Sequence, residues 1–174
     1  MQQNNRRIFL KRTALTATGI ISIPALIHSQ MPSKPATDKP KLDAELVRNF
    51  VMVCHGNFDK VKELYEKEPR LIFSSHDWGD GDFENGIEAA GHTGHKDIAH
   101  FLLDKGARIN FFTLCMLGDI KTVKRLIKEF PYLLNAKGPH GFTPLHHANQ
   151  GKDDAQKVKK YLQSLGAVET QIKL

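Results

Sequence analysis

The stretch DWGDGDFENGIEAAGHTGHKD, residues 77–97, gathers Asp77, Asp80, Asp82, Glu84, Glu88, His92, His95 and Asp97. Carboxylates beside imidazoles can do two kinds of chemistry. They can move protons as a general acid and base, or they can ligate a divalent ion. Asp80, Asp82 and Glu84 with His92 form the candidate set for either use. A calcium loop of the EF-hand type starting at Asp80 fails its register. Its sixth position, which should be glycine, is Asn85, and its twelfth, which should be glutamate, is Gly91. A phosphate-cradling loop needs a strand before it and a helix after it. GDGDFENG has no strand signal upstream, and its acids would repel phosphate. No Ser-His-Asp arrangement stands out either. What these residues do depends on the elements that carry them.

Those elements repeat. GNFDKVKELYEKEPRLI from Gly56 aligns with GDIKTVKRLIKEFPYLL from Gly118, pairing Val61 with Val123, Leu64 with Leu126, Pro69 with Pro131 and Leu71 with Leu133. Between them lies GHKDIAHFLLDKGARIN from Gly94, and GFTPLHHANQ with VKKYLQSLGA follows from Gly141. The spacing from Gly56 to Gly118 is close to two units of about 33 residues. Periods of this size belong to helical arrays, in which no unit can bury its apolar face alone.

The fragments GFTPLHHA, GHKDIAHFLLDKGARIN and LGDIKTVKRLI resemble the ankyrin repeat. The resemblance implies an all-α solenoid of about four helix-turn-helix repeats with finger loops, over roughly 42–76, 77–110, 111–140 and 141–170. In it Thr143 caps a first helix, Pro144 sits in its first turn, and Gly106 makes the left-handed turn after a second helix. Two departures stand out. An insertion at 74–85 lengthens the second unit, and the finger before Phe111 is largely missing. The resemblance further implies that His95 and His146 hydrogen-bond backbone groups. It places His55, His92 and His147 on the concave side of first helices, where such arrays meet partners.

Packed helices lie about 10 Å apart, so histidines on neighbouring repeats are expected to be too distant to share a zinc ion at roughly 2 Å per ligand. No metal ligand, cofactor or catalytic residue is therefore assigned. Trp78, the only tryptophan, and Phe83 sit in the insertion. They either pack back onto the array or anchor a partner, since aromatic residues dominate interface energetics. The candidate partner surface is Trp78, Asp80, Asp82, Phe83 and Glu84 with His55, His92, Met116, His140 and His147.

The first residues read as an address. NRRIFLK resembles the twin-arginine export motif through Arg6, Arg7, Phe9, Leu10 and Lys11, ahead of an apolar run over residues 13–27. Residues 1–29 are thus expected to be a signal peptide, leading to a periplasmic protein. Its only membrane contact would be an uncleaved signal. Residues 30–41, with Pro32, Pro35 and Pro40, read as a flexible linker to a domain at 42–174. Removing Arg6, Arg7, Lys11 and Arg12 with the leader lowers the net charge from +6 to +2, which argues against nucleic acid as a partner. Cys54 and Cys115 fall on first helices two repeats apart, about 20 Å by helix spacing, beyond the ~7 Å that a disulfide allows. Cys115 is expected in the core and Cys54 partly exposed.

The function expected from these readings is an exported, monomeric scaffold that binds an unidentified protein partner and does no catalysis. The competing reading is small-ligand or metal binding, or hydrolase-like chemistry, by Asp80, Asp82 and Glu84 with His92.

Overall fold

The computed structural model describes residues 40–174. The export motif at Arg6, Arg7, Phe9, Leu10 and Lys11, the signal segment 1–29 and nearly all of the linker lie outside the described residues. The described chain is mostly helical: α1 Ala44–Val53, α2 Phe58–Lys67, α3 Gly86–Thr93, α4 Lys96–Asp104, α5 Phe111–Leu117, α6 Ile120–Glu129, α7 Pro144–Gln150 and α8 Gln156–Ser164. A two-stranded hairpin, β1 Ser75–Asp77 and β2 Phe83–Asn85, stands between α2 and α3. Short 3-10 turns follow α2 and α6, at Pro69–Phe73 and Pro131–Asn135, and another covers Pro139–Gly141.

Local chemistry sets the helix starts. Asp43, Asn57, Asn85, Asn110, Asp119 and Thr143 each accept a hydrogen bond from the backbone N–H three residues on. Such a cap contributes about 1 kcal/mol. At Asn85 the cap is reciprocal, because Glu88 Oε2 accepts from the Asn85 N–H. Gly94 and Gly118 end α3 and α5 in left-handed geometry, which favours glycine. Thr143, Pro144 and Gly106 occupy the cap, first-turn and left-handed positions expected of them.

Each odd-numbered helix packs on the next even one, and α1, α3, α5 and α7 touch in succession. The apolar faces merge into two core clusters. Phe50, Val51, Val61, Leu71, Ile98 and Leu102 belong to the first; Val123, Leu145, Val158 and Leu162 belong to the second. Neighbouring residues of α5 divide between them, Met116 to the first and Cys115 to the second. Both cysteines are free and fully buried, which corrects the expectation of a partly exposed Cys54. Burial pushes both thiols well above the ordinary cysteine range, and at Cys54 the Glu84 charge adds to the effect.

The insertion is the other difference. Expected as a loop within an all-α array, it pairs as an antiparallel hairpin with Ser75 opposite Asn85, His76 opposite Glu84 and Asp77 opposite Phe83. The expected repeat boundary at 76/77 falls inside β1. Three-residue strands are too short to announce themselves by alternation. The turn is made by Gly79, Asp80 and Gly81, all at positive φ, with the Trp78 N–H donating to the Asp82 carbonyl. Its effect is to fold Trp78, Asp82 and Glu84 back over α1 and α3.

Candidate functional site

Four elements bring one side chain each to a common point. The turn after α1 supplies His55, the middle of β2 supplies Glu84, the last turn of α3 supplies His92, and the Pro139–Gly141 turn supplies His140. One nitrogen or oxygen from each lies within 4.8 Å of all the others. His92 Nε2 is 2.8 Å from Glu84 Oε1 and 3.1 Å from His55 Nε2. Glu84 Oε2 is 3.5 Å from both His55 Nε2 and His140 Nε2. Glu84 is fully buried and His92 only 8% exposed.

The outward nitrogens are held by the scaffold. His55 Nδ1 donates to the carbonyls of Val51 and Met52, at 3.0 and 3.2 Å. His140 Nδ1 donates to Asp82 Oδ2 at 2.7 Å, while the His140 backbone N–H donates to Asp82 Oδ1. His140 takes this pose at φ +58°, an uncommon value for a residue other than glycine. Trp78 Nε1–H donates to Glu84 Oε2 at 2.9 Å. His92 stacks on Phe142, which stacks on His146.

Electrostatically the centre is acidic. The ion-pair partners of Glu84 are His55, His92 and His140, and that of Asp82 is His140; none is a lysine or arginine. Burial pushes the Glu84 carboxyl up, but His92, His55 and the Trp78 N–H outweigh it, and the net shift is down. Glu88, also largely buried, is shifted up by burial and by the charge of Glu84. Imidazoles and a carboxylate in this arrangement can share protons or ligate an ion.

The expectation that histidines of neighbouring repeats stay apart does not hold for His55 and His92. The 10 Å rule describes helix axes, but His55 lies in the turn past the end of α1 and both rings lean into the same gap. The partner-surface assignment also divides. Met116, Glu84 and His147 are fully buried and His92 nearly so, which leaves them no surface to offer. His147 Nδ1 donates to the Thr143 carbonyl, its Nε2 has no partner, and burial lowers its pKa to about 3. His55, Trp78, Asp82 and His140 are half-buried at the cluster, whereas Phe83 is 59% exposed and Asp80 sits exposed at the hairpin tip. Trp78 and Phe83 therefore part company, one packed back and one outward. His146 does bond a backbone group, the His92 carbonyl at 2.9 Å. His95 makes no cap bond; its ring lies over Gly56, where a Cβ would collide with it.

A second feature escaped the sequence reading. Between α6 and α8 an open apolar groove of about 530 Å³ is lined by Ile127, Pro131, Leu134, Tyr161 and Leu165, with Lys124 and Lys128 at its edges. The ammonium of Lys124 lies over the Tyr161 ring. α6 carries four basic residues and one acid, Glu129, and α8 carries three basic residues and no acid; of these Lys124 and Lys128 line the groove.

No family model matches this chain, and no curated protein matches its sequence. Among the described residues no helix is long and apolar enough to cross a membrane.

Proposed function

We propose that this chain is an exported, ankyrin-type repeat protein that works by non-covalent binding of a protein partner. The observation carrying the proposal is the α6–α8 groove, an apolar trough that includes two lysines in its lining. The repeat pattern in the sequence and the succession of paired helices support the ankyrin-type reading. The twin-arginine-like motif supports export to the periplasm.

The groove moves the contact surface away from the first helices, where the resemblance placed it, to the second helices of the last two pairs. Its apolar lining suits an amphipathic helix laid apolar face down. The excess of lysine and arginine on α6 and α8 selects an acidic one. The occupant is thus an acidic amphipathic segment of another protein.

The test is fluorescence anisotropy with a labelled acidic amphipathic peptide, against a scrambled peptide of the same composition. Binding should weaken as salt rises, because the rim charges are exposed. It should be lost in Leu134→Asp and Leu165→Asp variants of unchanged circular dichroism. Equal affinity for the scrambled peptide sinks the proposal. Export is tested separately by fractionating cells that carry Arg6→Lys with Arg7→Lys.

A further inference from the structure

The geometry points to a divalent transition-metal site, of the zinc class, formed by Nε2 of His55, His92 and His140 and by the carboxylate of Glu84. It is independent of the groove.

The argument starts from proton positions. His55 Nδ1 faces two backbone carbonyls, which can only accept, so this nitrogen carries the hydrogen. His140 Nδ1 faces the Asp82 carboxylate, which also accepts. In the neutral ring a hydrogen on Nδ1 leaves a lone pair on Nε2. Two imidazole lone pairs therefore stand 3.5 Å from one carboxylate oxygen, Glu84 Oε2. In the neutral rings these two contacts set lone pair against lone pair, which repels unless a second ring proton or a metal cation lies between them. Glu84 Oε1 is buried without a hydrogen-bond partner, although His92 Nε2 stands 2.8 Å away; the alignment is not that of a hydrogen bond. The His55–His92 contact at 3.1 Å joins two Nε2 atoms, so His92 Nε2 either carries the hydrogen of that bond or, with His55 Nε2, turns its lone pair to a cation.

A metal resolves every one of these contacts. Around a tetrahedral zinc at 2.0–2.1 Å, ligand atoms are about 3.3–3.4 Å from each other. Glu84 Oε2 stands 3.5 Å from Nε2 of both His55 and His140, and His92 Nε2 is 3.1 Å from His55 Nε2 and 2.8 Å from the other Glu84 oxygen; one donor atom from each residue lies within 4.8 Å of all the rest, so a small inward shift brings the four to that spacing. The surroundings are those that ligating groups need. His140 is oriented by a carboxylate, His55 by a carbonyl, and Glu84 by an indole N–H. For the two histidines such partners fix the tautomer and raise ligand basicity. Among the described residues no lysine or arginine pairs with buried Glu84 or half-buried Asp82, and a doubly charged ion supplies the balance. Three nitrogens and one oxygen suit zinc, cobalt, nickel or copper; calcium and magnesium prefer oxygen donors alone. Four protein ligands close the sphere, so the site is a clasp tying the hairpin and the 139–141 turn to α1 and α3.

The test uses the full chain, stripped with chelator and titrated with Zn²⁺ and, separately, Co²⁺. We expect one ion per chain and the strong visible absorption of tetrahedral cobalt. We also expect a rise in Tm with Zn²⁺ that Mg²⁺ and Ca²⁺ do not reproduce. Asp82→Asn keeps all four ligands and should weaken Zn²⁺ binding 10–100-fold. His55→Gln and His140→Gln alter the two half-exposed ligands, so their folding is checked by circular dichroism, and each should weaken binding further. If zinc binds equally well to the folded His55→Gln/His140→Gln double variant, or not at all to the wild-type chain, the assignment is overturned. Cobalt bound without tetrahedral absorption overturns it too.

Discussion

Two ends of one helical array treat polar residues in opposite ways. At the hairpin end, Glu84 and His92 are buried beside an apolar core cluster. At the α6–α8 end, the charged residues stay outside and an apolar trough is left open between them. The helices of both ends obey the same rules of capping and periodicity. The difference comes from the hairpin, a long-range lid that takes loop residues out of water at one end and has no counterpart at the other. Burying a charge is costly unless it is matched, so the inward cluster is tuned residue by residue. The outward face tolerates change, since an exposed charge pair is worth about 0–1 kcal/mol.

The largest expected effect tests that contrast directly. Glu84→Ala leaves His92 and the Trp78 N–H without their buried partner and should cost about 3–5 kcal/mol in urea unfolding. A loss under about 1 kcal/mol would put Glu84 on a par with surface charges and break the comparison. Gly118→Ala should come next, at about 2–3 kcal/mol. Gly118 has φ +81° and its added Cβ would strike the Asp154 carbonyl, so both strain and collision oppose the change. Gly106→Ala, at φ +94° with open space around it, should cost only the conformational strain, about 1 kcal/mol.

Acid should act through His147. Its ordinary value is 6.5 and burial holds the folded value at about 3. Between those pH values the unfolded chain binds more protons than the folded one, so stability falls as pH drops through that window. Glu84, shifted down, adds a loss of the same sign below its ordinary 4.5. Unfolding of His147→Met followed from pH 7 to pH 3 should show a shallower slope than wild type above pH 4.5; equal slopes would remove His147 as the cause. Smallest of all, Lys128→Ala at the groove rim should change stability by less than about 0.5 kcal/mol, while lowering affinity for an acidic helix measurably in low salt.

Much of the array was legible. Thr143–Pro144, Gly106 and the apolar spacing of Val61, Leu64, Val123 and Ile127 report choices made within a few residues. Every member of the cluster was also singled out, His55, Glu84, His92 and His140 among them, but as a rim rather than a centre. Nothing in the spacing showed that the 74–85 insertion folds back, because its strands are three residues each. The groove was missed for a similar reason. Its residues come from α6, the turn after it and α8, and only the packing of α6 against α8 shows where the apolar faces fail to close.

The sequence by itself determined the helices, their caps and their pairing, since backbone preference and period act locally and leave their mark in consecutive residues. Tertiary structure alone decided which acids and imidazoles meet. Residues 55, 84, 92 and 140 share a point because a hairpin and two turns cross in space, and no periodicity links them along the chain.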